Sequence, residues 1–122
     1  MQQQEQFVTL REGSEAKAVI APSLGGWLLR YSRHLPRHGY VDALRFSQEV
    51  VDRYPKQMYA GNPLLFPLVS FNWAEGQEHH YEWQGARYAM PQHGFARRSQ
   101  WKTAGVSERS LLLELSDSAE TL

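Results

Sequence analysis

Apolar and polar residues alternate in short runs along the first third of the chain, and turn-forming residues separate the runs. The alternating runs are Phe7–Leu10, Ala16–Ile20 and Trp27–Tyr31, with turns at Gly13-Ser14 and Pro22–Gly26. Successive side chains of a strand point to opposite faces of a sheet, so a period of two predicts half-buried strands. Because few residues separate the runs, neighbouring strands are predicted to pair antiparallel as a β-meander.

The pattern weakens after the meander. Residues 33–40 are rich in arginine and histidine and contain a proline and a glycine, which together predict an exposed basic loop. The stretch Ser47–Tyr54 is predicted to form one or two helical turns, with Ser47 as the N-cap and Pro55 as the stop.

The second half of the chain predicts further short strands. Prolines interrupt the apolar residues 59–73, and because proline cannot donate to a strand ladder, extended segments at a sheet edge or along a cleft are expected there. Tyr81–Trp83 and Arg87–Met90 are predicted to form a hairpin across a glycine-containing turn. Strands around Trp101–Thr103 and Leu111–Leu115, the latter expected to be buried, complete an all-β, antiparallel pattern.

Composition narrows the class of protein. A length of 122 residues suits one domain, and thirteen basic residues balance thirteen acidic ones, so no net field would attract nucleic acid. The sequence has no cysteine, no long apolar run and no signal-peptide pattern. A single soluble, cytoplasmic domain over residues 1–122, without nucleic-acid or membrane partners, is therefore predicted. The sequence also lacks a glycine-rich phosphate loop and a nucleophile-elbow serine.

The candidate chemistry lies in the run Pro-Gln-His-Gly-Phe-Ala-Arg at residues 91–97. The imidazole of His93 can donate or accept a proton near neutral pH, and the glycine after it lets the backbone approach a ligand. Arg97 lies four positions later, so on an extended strand both side chains would point to one face and reach one ligand. The alternatives are a structural turn histidine and a solvated or salt-bridged surface arginine.

Amide and aromatic side chains accompany this run. Asn62, Asn72 and Gln92 can each donate to and accept from sugar hydroxyl groups, although a turn-forming role suits Asn62 equally well. Trp73 could stack on a pyranose ring, but tryptophans more often fill a core. The sequence thus predicts a catalytic histidine and a set of substrate-binding residues. The catalytic residue is His93, and the substrate-binding residues are Arg97, Asn72, Gln92, Asn62 and Trp73.

A dedicated metal site is not expected. His34 and His38 have the i, i+4 spacing of a helical zinc pair, but Pro36 and Gly39 oppose a helix there. The zinc motif His-Glu-x-x-His does not occur in the sequence. The five histidines therefore predict no set of metal ligands.

The run at residues 91–97 and the segment Gly-Asn-Pro-Leu-Leu-Phe-Pro at residues 61–67 together resemble the signature of the aldose 1-epimerase (mutarotase) family. The resemblance covers most of the chain and is nearest to the branch that acts on glucose-6-phosphate-like sugars. It implies a large antiparallel β-sandwich of the galactose-mutarotase type that binds a sugar or sugar phosphate in an open cleft. The implied reaction interconverts the α and β anomers of an aldohexose or its 6-phosphate by acid–base ring opening, without a cofactor.

The resemblance also implies that this chain is the N-terminal part of a larger, here incomplete, sandwich. Family members are longer, and the residue matching His93 assists at the sugar oxygens, while the acid, a second histidine, and the glutamate base come from later positions. Ser70–Trp73 stands where many members carry an arginine after Phe-Pro. This chain alone is therefore expected to lack the acid and base and to have little or no epimerase activity.

Two other functions stay open from the sequence. One is a non-catalytic carbohydrate-binding β-sandwich that keeps the sugar-facing residues, and the other is an interaction domain without a ligand. An incomplete sandwich would expose unpaired strand edges and an uncovered apolar face, so self-association through those edges is expected.

Overall fold

The structure is a computed structural model that describes residues 6–118. Within this range the chain forms ten strands, one α-helix and one 3-10 helix. These elements are β1 (Val8–Glu12), β2 (Ala16–Ala21), β3 (Trp27–Leu35), β4 (Gly39–Leu44), α1 (Gln48–Asp52), β5 (Trp73–Ala74), β6 (Gln77–Glu78), β7 (His80–Trp83), β8 (Ala86–Ala89), the 3-10 helix Ala96–Arg98, β9 (Lys102–Val106) and β10 (Leu111–Glu114). No helix in the described range has the length and apolar character needed to cross a lipid bilayer.

The first four strands form one antiparallel sheet in the order β1-β2-β3-β4, which confirms the predicted meander. Val8 lies opposite Ile20, and Ala18 lies opposite Tyr31. The pairing of β1 with β2 is continuous, whereas the register shifts once between β2 and β3 and once between β3 and β4. Most side chains at the β2–β3 end of the sheet are buried, and those near the β1–β2 turn are exposed.

The two outer edges of this sheet differ. On β1, the N–H of Arg11 donates to the carbonyl of Glu108 at 2.7 Å, so the turn between β9 and β10 covers part of that edge. The outer edge of β4 pairs with no other described strand. Tyr40 and Val41 on β4 are 55% and 40% exposed. Self-association stays a prediction, and β4 carries the edge at which it would occur.

Residues 33–40 are not the exposed loop that their composition predicts. β3 continues to Leu35 and pairs there with Gly39 at the start of β4, so the segment is a hairpin with its turn at residues 36–38. The basic side chains extend from the solvent-exposed end of the sheet. Charged groups are tolerated there because they stay hydrated, and the proline and glycine mark only the turn.

The core packs one end of the meander against α1 and the chain that follows it. Its buried members are Ala21, Trp27, Leu29, Val51 and Met58. The indole N–H of Trp27 donates to the carbonyl of Ala60 at 2.9 Å, so this wholly buried ring is satisfied as a hydrogen-bond donor. α1 has only five residues, and packing of Val51 rather than helix propensity stabilises it. The predicted helical turn is confirmed, although the side chain of its N-cap residue Ser47 makes no capping hydrogen bond.

Tyr54 packs on this core with its hydroxyl group unsatisfied. Its ring lies 6.2 Å from that of Trp27, and its buried hydroxyl oxygen has no hydrogen-bond partner among the described residues. Burial raises the pKa of Tyr54 above its ordinary value of 10.0, and the charge of Arg98 offsets part of that rise. The pKa of Tyr54 is thus higher in the folded protein than in the unfolded chain. Below pH 10 the hydroxyl is neutral in both states and the free energy of unfolding is unaffected by its titration. As pH rises through the folded pKa, the free energy of unfolding falls.

We expect the substitution Tyr54→Phe to stabilise the protein by about 1 kcal/mol at neutral pH, because it removes a buried polar atom without a partner. It should also reduce the loss of stability above pH 10. Urea denaturation at neutral and alkaline pH measures both effects. Tyr59→Phe is the control, since Tyr59 is 85% exposed and its hydroxyl is already hydrated. Equal stability of the two variants would contradict the expectation.

Three two-stranded ribbons complete the described chain. They pair β5 with β6, β7 with β8, and β9 with β10, all antiparallel. Gln84 and Gly85 join β7 and β8 with φ of 50° and 79°, as in a type I′ hairpin turn, so the predicted hairpin is confirmed. The prediction of a buried final strand is wrong. β10 alternates half-buried and exposed positions, with Leu112 63% exposed, because only β9 pairs with it.

Candidate functional site

Residues 91–94 form a tight turn that packs against the segment around Phe66. The N–H of Gly94 donates to the carbonyl of Pro91 at 2.9 Å, and Gly94 forms an isolated parallel bridge with Phe66. The carbonyl of Phe66 then accepts from the N–H groups of both Phe95 and Ala96, at 3.0 and 3.1 Å. The run 91–97 is therefore held to the proline-rich segment 61–67 by backbone hydrogen bonds and not by a strand ladder.

His93 and Ser70 hold each other through two reciprocal hydrogen bonds. The N–H of His93 donates to the carbonyl of Ser70 at 2.8 Å, and the N–H of Ser70 donates to Nδ1 of the His93 ring at 2.7 Å. A backbone N–H can only donate, so Nδ1 must be an acceptor. The ring proton of the neutral imidazole therefore sits on Nε2.

The Nε2–H group of His93 is left for another partner. The residue is half-buried, and its ring makes no hydrogen bond to any other described residue. His93 and Ser70 both have left-handed backbones, with φ of 65° and 74°. A residue other than glycine adopts this conformation at a cost, and positions where a structure holds such strain concentrate at functional sites.

Arg97 does not share an extended strand with His93, so the alternation argument from the sequence is wrong. The chain enters the 3-10 helix Ala96–Arg98 immediately after the turn, because one carbonyl, that of Phe66, captures two successive N–H groups. The guanidinium still returns to the turn, where Nη2 of Arg97 donates to the carbonyl of Gln92 at 3.2 Å. Arg97 and His93 are therefore brought to one turn by a different route.

The guanidinium of Arg97 is partly withdrawn from solvent. Its Nε is buried without a hydrogen-bond partner among the described residues. Burial lowers the pKa of Arg97, and the neighbouring charge of Arg98 lowers it further. The backbone of Arg97 also lies against Gly25, where an added Cβ would be 2.1 Å from the Arg97 carbonyl oxygen. Arg97 therefore makes no salt bridge among the described residues, and its guanidinium is only partly open to solvent.

Asn72 lies on the segment that runs beside the turn. Its Nδ2 donates to the carbonyl of Met90 at 3.1 Å, while its Oδ1 is buried without a partner among the described residues. Its backbone carbonyl accepts from the N–H of His79 at 2.8 Å, and the carbonyl of His79 accepts from the N–H of Met90 at 2.7 Å. Asn72 therefore holds the segment 70–73 against residues 90–93, and its role as a sugar ligand stays a prediction.

The other predicted site residues are placed differently. Gln92 contributes its backbone carbonyl to Arg97. Asn62 pairs through its backbone with Leu28 of β3, and its exposed side chain makes no hydrogen bond within residues 6–118. Trp73 is 59% exposed, so it does not fill the core. The structure thus brings Arg97, Gln92 and Asn72 to the His93 turn, while no contact joins Asn62 to it.

Sequence reasoning missed Ser70, whose N–H donates to Nδ1 of His93, and it missed the ring contacts of Phe71. The ring centroid of Phe71 lies 5.9 Å from that of Trp73 and 5.8 Å from that of His79, both in tilted arrangements. Nothing local in the sequence marks Ser70, because its partner lies 23 positions away. For Phe71, the sequence offered one signal. The residue belongs to Ser70–Trp73, the segment that stands where many members of the resembled family carry an arginine.

A cavity of about 420 Å³ is lined by Phe66, Phe95 and Trp101 among others, and His93 is not part of its lining. Within residues 6–118, no three or more histidine, aspartate or glutamate side chains meet in a group that could hold a metal ion.

A comparison with protein families gives a match to aldose 1-epimerase over residues 6–121. This match includes the turn at residues 91–94, its Phe66 contact and nearly all of the rest of the chain. The chain belongs to the aldose 1-epimerase family. No curated protein matches it.

Two solved structures share the fold of this family member. The Slr1438 protein from Synechocystis sp. PCC 6803 aligns with a TM-score of 0.76 and 24% identity, and the match covers 98% of this chain and 39% of that one. A galactose mutarotase related enzyme from Lactobacillus acidophilus aligns with a TM-score of 0.67 and 23% identity, covering 94% and 33%. The predicted all-β, antiparallel fold of the galactose-mutarotase type is confirmed. The chain spans about two fifths and one third of the lengths of these two proteins.

Proposed function

We propose that this chain forms the sugar-facing part of an aldose 1-epimerase site, in which Nε2–H of His93 donates to an oxygen atom of an aldohexose pyranose. The observation that carries the proposal is the reciprocal pair between His93 and Ser70. It fixes the ring, sets its tautomer and leaves one polar atom for a ligand. Membership of the family supplies the class of ligand.

The proposed reaction is the interconversion of α and β anomers. A base removes the proton of the anomeric hydroxyl group, the bond between C1 and the ring oxygen breaks, and an acid protonates that oxygen. C1 of the open aldehyde form then rotates, and the reverse steps close the ring. Nε2–H of His93 stabilises the negative charge that develops on a sugar oxygen during these steps, and it needs no proton transfer of its own to do so.

The remaining residues support that donor. Arg97 and Gln92 fix the turn through the contact between guanidinium and carbonyl, and Asn72 fixes the neighbouring segment through the carbonyl of Met90. We assign them to positioning His93 as well as to the sugar. Trp73 is assigned to the apolar face of the sugar ring. Asn62 is assigned to a hydroxyl group at the edge of the site, since its side chain is exposed.

An NMR titration tests the proposal on the chain itself. Glucose, galactose and glucose 6-phosphate are added separately while the imidazole nitrogen signals of His93 are followed. We expect a neutral ring with its proton on Nε2, and a saturable shift of the Nε2 signal with at least one sugar. A proton on Nδ1, or no shift with any of the three sugars, would refute the proposal.

Anomer exchange measured on the same samples separates the enzyme from a carbohydrate-binding domain without catalysis. Because the acid and base are not among the residues assigned here, this chain alone should exchange anomers at or near the uncatalysed rate. Exchange at a full enzymatic rate would show that the acid and base lie within it.

A further inference from the structure

A cavity of about 300 Å³ is lined by residues of β1, β2 and β3 and by Arg109, which lies in the turn between β9 and β10. Its volume is at the lower end of the range for ligand pockets, so it suits a small molecule. Among the described residues, no hydrogen bond, ion pair or ring contact joins its lining to the turn at residues 91–94. The cavity is therefore a feature separate from the His93 site.

One wall of the cavity is apolar. It contains Leu10, Ala18 and Tyr31, which lie opposite one another on neighbouring strands, Leu10 beside Ala18 and Ala18 beside Tyr31. Cross-strand partners point to the same face of a sheet, so these half-buried side chains form a continuous row. Arg11 and Lys17 also line the cavity, but alternation points them to the opposite face. They therefore contribute positive charge around the cavity and not to this wall.

A charged row lies next to the apolar row on the same face. Glu12 pairs with Ala16, and Ala16 pairs with Arg33. Each lies two positions along its strand from a member of the apolar row, a separation of about 7 Å. Nη1 of Arg33 lies 3.5 Å from the hydroxyl oxygen of Tyr31. The guanidinium of Arg33 is therefore placed at the edge of the apolar wall.

Arg109 supplies a second guanidinium from a turn whose backbone is fixed by hydrogen bonds. The N–H of Ser107 donates to the carbonyl of Ser110 at 2.8 Å, and the hydroxyl oxygens of these two serines are 2.7 Å apart. The N–H of Arg11 donates to the carbonyl of Glu108 at 2.7 Å, which attaches the turn to the edge of β1. A turn that is ordered before a ligand arrives lowers the entropic cost of binding.

Neither guanidinium is neutralised by a close carboxylate. Arg109 is 4.0 Å from Glu12, and both side chains are mostly exposed, so their ion pair is weak. Arg33 makes no ion pair within residues 6–118, and Glu12 and Glu15 raise its pKa less than the hydroxyl group of Tyr31 does. Two guanidiniums beside an apolar wall are complementary to an anion that carries an apolar body, since guanidinium binds carboxylate or phosphate in a bidentate geometry.

We propose that this cavity binds a small aryl anion, whose carboxylate or phosphate group is held by Arg33 and Arg109 while its ring packs on Leu10, Ala18 and Tyr31. The inference does not depend on the proposed sugar site, because it uses none of the residues assigned there. A carboxylate and a phosphate offer the same chemistry to a guanidinium, so the test includes both.

An NMR titration of the chain at low salt uses benzoate, phenyl phosphate, acetate and benzyl alcohol as probes. We expect at least one aryl anion to give saturable shifts of the amide signals of Leu10, Ala18 and Tyr31. Acetate lacks the ring and benzyl alcohol lacks the charge, so each should bind roughly tenfold more weakly. The tighter of the two aryl anions identifies the preferred head group. No saturable shift with either aryl anion, or equal binding of acetate or benzyl alcohol, would overturn the proposal.

Charge variants test the contacts individually. Arg33→Gln and Arg109→Gln should each weaken the tighter aryl anion about three- to fivefold, the loss expected for an exposed ion pair, whereas Glu12→Gln should strengthen it about twofold by removing a like charge. Arg53→Gln is the matched control, because Arg53 pairs with Glu49 on α1 and does not line the cavity. Affinities equal to that of the control in both arginine variants would contradict the assignment. Thermal unfolding of each variant shows that the fold is retained.

Discussion

Replacing Gly94 with alanine is expected to destabilise the protein by several kcal/mol or to prevent it from folding. Gly94 has a φ of 77°, and a Cβ there would lie 2.2 Å from the carbonyl oxygen of Phe66, 2.5 Å from its carbonyl carbon and 2.7 Å from Cδ of Pro67. The Phe66 carbonyl cannot move away freely, because it also accepts hydrogen bonds from Phe95 and Ala96. Urea denaturation followed by circular dichroism measures the loss.

Gly76→Ala is a closely matched control for this substitution. Gly76 has a φ of 78°, almost the same as Gly94, but a Cβ there would meet nothing within 4 Å. The control therefore carries only the cost of a left-handed alanine, about 1 kcal/mol. The difference between the two variants isolates the contact between Gly94 and Phe66, and equal losses would show that this close approach does not exist in solution.

The substitution His93→Asn is expected to lower sugar affinity about tenfold while leaving the fold intact. Asparagine tolerates the positive φ at this position, and its Oδ1 can accept the hydrogen bond that Ser70 now donates to Nδ1. Its shorter side chain removes the Nε2–H donor and leaves a sugar oxygen unpaired, at a cost of about 1–3 kcal/mol. The dissociation constants of glucose and galactose, measured by titration, report the effect.

His93→Gln serves as the complementary variant. Glutamine carries an amide donor on a longer side chain, so it can restore part of the hydrogen bond to the sugar while losing the acceptor that holds Ser70. We therefore expect an affinity between those of the asparagine variant and the unaltered chain, together with lower stability. An asparagine variant that binds sugar as tightly as the unaltered chain would rule out Nε2–H as the donor.

Local patterns in the sequence predicted those elements whose geometry depends on neighbouring residues. The meander follows from alternation between turns, and the β7–β8 hairpin follows from two residues, Gln84 and Gly85, that adopt left-handed backbones. The basic segment 33–40 was predicted wrongly because its charged side chains occupy the hydrated end of two strands. Composition alone could not distinguish that arrangement from a loop.

The candidate site was predicted only in part, because non-local hydrogen bonds shape it. The run 91–97 identified His93, but the 3-10 helix that carries Arg97 depends on the carbonyl of Phe66, about thirty positions earlier. Ser70 fixes the tautomer of His93 across 23 positions. Such pairings do not follow from the period of a strand or of a helix. Arg97 does lie near His93, as predicted, but the 3-10 helix brings it there and not the alternation of side chains along a strand.

The two edge strands of the four-stranded sheet, β1 and β4, differ in how readily each can pair with a further strand. A strand added beside β4 would find backbone amides and carbonyls without a strand partner among the described residues, whereas one added beside β1 would first have to displace the Glu108 carbonyl from Arg11. Lengthening of the sheet, whether by more of the same polypeptide or by a neighbouring molecule, is thus directed to the β4 side. A lysine in place of Val41 would make that side less receptive.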